Sequence, residues 1–303
     1  MASTTAQEPA LRPARNPAEK EAALLRQLAE YGSAMVALSA GVDSTYLLAV
    51  AHEALGGAVT AVTADSPSLA RASLAEAEAF CRERGIRHVV IATDEFERAD
   101  YLANDGQRCF HCKAALMRAM DGLAAATKDG RGTQALLLGA IVDDLADHRP
   151  GMRAAAEAGA RWPLADCGFT KEDVRQRSRE RALPTWNRPA EPCLSSRVPY
   201  GEPVSPEAVR MIEAAETLLR SHGLRECRAR HHQVGRGADG KPRGHLCRIE
   251  VPERDLERVV AVRSALVPAL RALGYLNVTL DLAGLASGGF NALLGPTGRG
   301  VGT

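Results

Sequence analysis

With 303 residues, 46% of them hydrophobic and 25% charged, the chain is long enough for a substantial core and suits two domains better than one. A formal net charge of +1 gives no grip on a polyanion, and no run approaches the ~18 apolar residues of a membrane span, so neither a nucleic-acid partner nor a membrane is expected. Seven cysteines behind a start that lacks the apolar core of a secretory signal point to a reducing, cytoplasmic setting, where thiols act as ligands or nucleophiles.

Residues 1–17, rich in Ala, Pro and Thr, read as a disordered tail. Ala18–Glu30 carries Leu24, Leu25 and Leu28 at helical spacing, and Gly32 closes that helix. Met35–Leu38 is a short apolar strand, Ser39-Ala40-Gly41-Val42-Asp43 a small polar turn, and Ser44–Leu55 a helix. Ala58–Ala64 is a second strand, ending at Asp65-Ser66-Pro67; Leu69–Arg84 is a helix, His88–Ala92 a third strand, Cys112–Ala126 a helix and Ala135–Gly139 a fourth strand. Apolar strands alternating with helices predict an α/β fold, a parallel sheet covered on both faces, over 18–194. Beyond it, 195–294 reads as a smaller α+β domain for substrate binding or oligomerisation. Its expected elements are a helix Pro206–Arg220, strands Arg225–His232 and His245–Val251, a helix Arg254–Leu273 and a strand Asn277–Leu282. The glycine-rich Val234–Gly240 leads into no helix and reads as a hairpin loop; 295–303 reads as a frayed end.

In parallel sheets ligands bind beyond the carboxyl ends of the strands, where Ser39, Asp65, Ser66 and Gly139 all fall. Gly41 permits a tight turn, while Ser39, Ser44 and Thr45 bring hydroxyls to the start of a helix whose free amides suit an anion. The loop has no Gly-Lys-Ser/Thr, so it brings no lysine of its own to a triphosphate. It resembles instead the Ser-Gly-Gly-x-Asp-Ser loop of the PP-loop ATP pyrophosphatases, an adenine nucleotide alpha hydrolase-like fold, with Ala40 where that family has its first glycine. An alanine is tolerable there if its φ is negative. The resemblance implies ATP contacts from Ser39, Gly41, Val42, Asp43, Ser44, Thr45, Asp65, Ser66 and Gly139.

Arg108-Cys109-Phe110-His111-Cys112 places a CxxC pair just before a predicted helix, spaced to share a metal or cluster or to form a redox disulfide. Cys193 sits in Pro189-Ala190-Glu191-Pro192-Cys193-Leu194-Ser195-Ser196-Arg197-Val198-Pro199-Tyr200-Gly201, held extended by flanking prolines. Arg197 is near enough to favour a thiolate or a bound phosphate. Arg228 and Arg230, two apart on a predicted strand, share a face, which suits a phosphate as well as a solvated edge. Cys81 and Cys247 read as packing residues, Cys167 and Cys227 have no assigned role, and His111 reads as a solvent-facing residue at the helix start.

The segment Pro192–Gly201 resembles the signature of the LarE family, the sulfur-inserting enzymes of nickel-pincer nucleotide biosynthesis. The likeness extends to Gly139–Gly151, Gly168-Phe169-Thr170-Lys171, Leu183-Pro184-Thr185-Trp186, Arg228–His232 and Arg248-Ile249-Glu250, with Ala140-Ile141 in place of Thr-Asn and an insertion at Gly235–Gly244. The family implies that Mg²⁺-bound ATP adenylates a carboxylate on a pyridinium mononucleotide, and that a sulfur nucleophile then displaces AMP to leave a thiocarboxylate. It further implies substrate-phosphate roles for Arg197, Arg228 and Arg230, and makes Asp43, Asp143 and Asp144 candidates on the Mg²⁺ side. Two sulfur routes exist in the family. In one the signature cysteine, here Cys193, gives up its own sulfur. In the other, which Cys109, Cys112 and Cys193 match, three thiolates hold a [4Fe–4S] cluster with one open iron. Neighbouring pathway enzymes would supply the carboxylated precursor and insert nickel, and a homo-oligomer is expected. The rival readings are a tRNA-thiolating PP-loop enzyme, which predicts a basic surface and further cysteine pairs, an amidating synthetase, which has no use for Cys193, and a non-catalytic ATP-binding sensor.

Overall fold

The computed structural model describes residues 16–126, 134–145, 150–239, 242–286, 289–290 and 293. The expected tails therefore lie almost wholly outside the described residues, as do Asp147, His148 and Arg149 of the Gly139–Gly151 stretch and Gly240 of the glycine-rich loop. Helix α1 (Pro17–Glu30) starts at a reciprocal cap in which Asn16 and Glu19 each accept the other's backbone N–H, with Pro17 in the first turn. The order continues β1 (Ala34–Ala37), α2 (Val42–Leu55), β2 (Val59–Asp65), α3 (Arg71–Glu83), β3 (Arg87–Ala92), α4 (Ala99–Leu102), α5 (Arg108–Ala126), β4 (Ala135–Leu137), α6 (Val142–Leu145), α7 (Pro150–Glu157), α8 (Pro163–Asp166) and α9 (Lys171–Glu180). After a largely irregular connector come α10 (Pro206–Ser221), β5 (Arg228–Arg236), β6 (Pro242–Glu250), α11 (Leu256–Ala261), α12 (Arg263–Ala272) and β7 (Tyr275–Leu280).

The first sheet is parallel throughout, in the order β3-β2-β1-β4. Chain order reverses at β1, so the crevice between the loops leaving β1 and β4 is the topological switch point where such sheets take ligands. The core beneath it is built from α1, α2 and the strands, with Leu24, Leu28, Tyr46, Leu47, Leu48 and Val50 fully buried. The second sheet, β5-β6-β7, pairs β5 with β6 antiparallel and β6 with β7 parallel, and packs a separate core against α10 and α12. The architecture is the expected one, a parallel α/β sheet with a smaller α+β unit. The boundary expected at 194/195 falls inside the connector.

Two local expectations are corrected. The CxxC pair does not precede a helix; α5 begins at Arg108, so both cysteines occupy its first turns. The single helix expected over 254–273 is two, because the backbone at Val262 (φ −95°, ψ 7°) leaves helical values. Val259, Leu266 and Leu270 are buried on both sides of that break, so the apolar pattern runs through it unmarked. Among the described residues no helix is long and apolar enough to cross a membrane.

Candidate functional site

A cavity of about 770 Å³ opens between the carboxyl ends of the first sheet and the inner face of β5. Its floor is the loop between β1 and α2. That loop is anchored from below: Leu38 N–H donates to Val62 O at 2.8 Å, and Thr63 Oγ1 donates to Leu38 O at 2.9 Å. Ser39 and Ser44 hydroxyls lie 3.2 Å apart, and Ser44 Oγ also bonds Gly41 O, which closes the turn. Helix α2 has no side-chain cap, so its first amides are left for an anion. Ser39, Gly41, Asp43 and Ser44 line the cavity; Val42 and Thr45 are packed below it, 5% and 1% exposed.

Ala40 stands at φ 56°, the left-handed region, so the condition under which an alanine is harmless there is not met. The conformation costs a non-glycine residue about 1–2 kcal/mol and marks why glycine is usual at this place. Gly139, leaving β4, closes the crevice from the other side. A Cβ there would stand 2.9 Å from Ser44 N and 3.0 Å from Asp43 C. Only a glycine lets the two loops meet.

Asp43 points from the first turn of α2 with two unequal oxygens. Oδ2 accepts from Lys171 Nζ at 2.6 Å, while Oδ1 is buried without a partner. Burial pushes the Asp43 carboxyl upward, against the pull of the Lys171 hydrogen bond. Lys171 opens α9, in the stretch that follows Phe169, and reaches the loop from 128 residues away. The family likeness marked the Gly168–Lys171 stretch, but nothing local in the sequence ties Lys171 to the loop. Asp144 lines the cavity and accepts Ile141 N–H at 3.0 Å, capping α6; Asp143 accepts Lys171 N–H at 2.9 Å and does not line the cavity. Asp43, which lines the cavity near Asp144 and carries an oxygen without a partner, is therefore the residue that fits a Mg²⁺ ligand best. Ser66 lines the cavity, whereas Asp65 turns to Arg71 at 2.5 Å and does not.

Cys109, Cys112 and Cys193 come from two distant segments onto the same wall. Arg108 explains the convergence. Its buried guanidinium donates to Asn104 Oδ1 (2.6 Å) and Ser195 O (2.8 Å), tying the start of α5 to the connector that carries Cys193. Asn104 Nδ2 in turn donates to Pro199 O at 2.7 Å and Glu202 O at 2.8 Å. A buried triangle of hydroxyls (Ser68, Tyr101 and Ser195, 2.5–2.9 Å apart) and the bond from Leu194 N–H to Ser68 O fix the connector against the loop after β2. Cys109 and Cys193 remain exposed toward the cavity and Cys112 is half-buried. The protein mass around the first two α5 thiols nonetheless disfavours their charge: burial first and the Cys193 sulfur second raise Cys109, and the same causes push Cys112 up to about 12. Glu95, 1% exposed with Oε2 unpartnered, faces the same wall and adds to the rise at Cys112.

Among the described residues no three His, Cys, Asp or Glu side chains converge on a single ion. A [4Fe–4S] cluster makes a different demand, because each thiolate takes its own iron and the ligands stand apart around one void. Three soft thiols facing one cavity form such a donor set. His111 between them is half-buried, with Nδ1 3.4 Å from Asp100 Oδ2. Cys81, Cys227 and Cys247 are buried, and Cys167 lies near Gln27.

The roof is basic. Arg228 and Arg230 both face inward from β5 and are 7% and 3% exposed. Arg228 donates to Ala286 O at 2.5 Å; Arg230 donates to Ser196 O at 2.9 Å, pairs with Glu250 at 2.9 Å and lies over the Phe290 ring. Burial, then the neighbouring Arg230 and Arg197, lower Arg228 from its ordinary value, the mark of cations held together without full compensation. Arg197 does not line the cavity. Its guanidinium makes a buried two-point pair with Glu216, at 2.7 and 3.2 Å, and donates to Pro192 O, so it braces the Cys193 segment from behind.

No family model matches the chain. It is 33% identical over 279 residues to the pyridinium-3,5-bisthiocarboxylic acid mononucleotide synthase of Lactiplantibacillus plantarum, an alignment covering 91% of this chain and 95% of that protein. It is 40% identical over 273 residues to an uncharacterised protein of Synechocystis (89% and 96% covered), and 24% identical over 248 residues to one of Methanocaldococcus jannaschii (82% and 88%).

Proposed function

The chain belongs to the LarE family, and from that premise we propose that it is an ATP-dependent sulfur transferase acting on a pyridinium mononucleotide in nickel-pincer cofactor biosynthesis. The observation that carries this reading is that one cavity is lined by the loop before α2, by three cysteines and by two inward arginines. Its parts suit consecutive steps. The amides opening α2 and the Ser39 and Ser44 hydroxyls would hold the triphosphate, with Asp43 facing Mg²⁺. Arg228 and Arg230 would hold the substrate's phosphate and so set its carboxylate toward the nucleotide's α-phosphorus. Attack by that carboxylate oxygen breaks the bond to the β-phosphate bridge and releases pyrophosphate. A sulfur nucleophile from the Cys193 side then attacks the acyl carbon and the acyl–AMP bond breaks; parting of that sulfur from its carrier, by β-elimination if it is the Cys193 sulfur itself, leaves the thiocarboxylate.

Cys109, Cys112 and Cys193 would hold a [4Fe–4S] cluster, which when bound supplies an open iron for an extra sulfide. The chain's own contribution is then to bring three thiols to one wall and to place Arg108 by Cys109, where its charge partly offsets the burial that disfavours the thiolate. Chain purified without oxygen is expected to hold about four irons, to release pyrophosphate with the carboxylated mononucleotide, and to turn over repeatedly with sulfide. Cys109→Ser should lose iron and turnover together. A colourless chain that reacts once and sheds about 34 Da, the mass of H₂S, would replace the cluster by sacrifice of the Cys193 sulfur, a β-elimination outside the cysteine oxidation ladder.

A further inference from the structure

Arg188 lies in the connector, has no role among those assigned above, and grips the loop before α2. Its guanidinium donates to Ala40 O at 3.0 Å, to Ser73 Oγ at 3.0 Å and to Glu191 at 2.7 Å, and it also pairs with Glu76. Its own backbone is pinned, with N–H donating to Thr185 O at 3.0 Å and O accepting from Arg175 at 3.1 Å. Neither Arg188 nor Ala40 lines the cavity, whereas Ser39 and Gly41 on either side of Ala40 do.

The peptide joining Ala40 to Gly41 is trans, so its C=O and N–H point in opposite directions. With the oxygen held by Arg188, the Gly41 N–H is turned away from the guanidinium, and it donates to no described residue. Ala40 keeps this arrangement at φ 56°, which an alanine does not choose by itself. We propose that Arg188 is a positioning residue that locks the Ala40–Gly41 peptide, against the steric preference of Ala40, with the Gly41 N–H presented to a nucleotide phosphate. Because Glu191 stands two residues before Cys193, the same guanidinium keeps the phosphate loop and the sulfur-bearing segment in register. The inference rests on the reading of this loop as the nucleotide site.

The test is Mg·ATP binding by calorimetry on the full chain, with thermal melting on each variant. Arg188→Met is expected to bind Mg·ATP about tenfold more weakly, the equivalent of about 1.4 kcal/mol. Adding Ala40→Gly should recover most of that loss, since glycine holds φ 56° without the guanidinium. A merely structural Arg188 gives no such rescue. Parent-level affinity in folded Arg188→Met overturns the proposal, and so does a loss that Ala40→Gly leaves unrepaired. Should Arg188→Met not fold, it is placed on the Ala40→Gly background, where near-parent affinity supports the proposal and a tenfold loss overturns it. A parent chain that binds no Mg·ATP overturns the nucleotide reading itself, and this inference with it.

Discussion

At Gly139 a single hydrogen separates two loops. A methyl there would press on Ser44 N and Asp43 C, backbone atoms of a buried helix start that cannot swing aside. Gly139→Ala is therefore expected to cost about 1–3 kcal/mol, as overpacking does, and to weaken ATP binding, because relief comes only by moving the amides of α2. Denaturant melts and calorimetry would show both; an unchanged ATP affinity would mean that the α2 amides do not hold phosphate. Arg228 acts on the other ligand. Removing it should weaken the mononucleotide by about 1.5–3 kcal/mol, typical of hydrogen bonds to a charged group, and leave ATP affinity nearly untouched. Equal substrate binding in Arg228→Ala would return the residue to the role of a strut for Ala286.

Among the elements, α1 and α9 are joined by a buried carboxylate. Glu21 accepts from Arg177, Arg181 and Tyr46, and although burial opposes its charge, these bonds hold its carboxyl down at about 2. Glu21→Gln should cost about 3 kcal/mol, because two partly buried guanidinium groups lose their shared partner. The parent's share of that stability is complete above pH 4.5 and is lost as pH falls toward 2. The second sheet behaves in the same direction at higher pH. His231, 2% exposed between His245 and Tyr275, is held down at about 3 by burial and then by His245 and His232; burial likewise holds His232 at about 4. Unfolded, His231 takes its proton near 6.5, so the folded state is favoured above that value and loses about 1.4 kcal/mol per unit as pH falls toward 4. Thermal melts from pH 7 to pH 4 should show the slope, and His231→Gln should flatten it by one proton's worth.

For the whole molecule, strand order and connector path matter more than any one element. The parallel sheet, its helices and the position of the loop before α2 were legible because each apolar strand and each helical stripe is a local pattern, and a sheet of this kind presents its ligand at the strand ends. The cysteine spacing and the segment around Cys193 were legible for a similar reason, since residue types along a short stretch carry their own chemistry. Which thiols share a wall is a different matter. It depends on Arg108 reaching Ser195, a contact across 87 residues. Tertiary structure also separated Arg197 from Arg228 and Arg230, by turning the first onto Glu216 behind the Cys193 segment while the other two line the cavity, and it delivered Lys171 to a loop that has no lysine of its own. It set the backbone of Ala40 as well, whose sign of φ no neighbour in the chain dictates and which Arg188 holds. Local sequence thus determined most of the elements and where the reactive residue types fall, because propensity, periodicity and spacing act within a few residues. Only the folded chain decided which charges turn toward the cavity and which are paired behind it, because those pairings join residues that meet only when the two sheets and the connector pack.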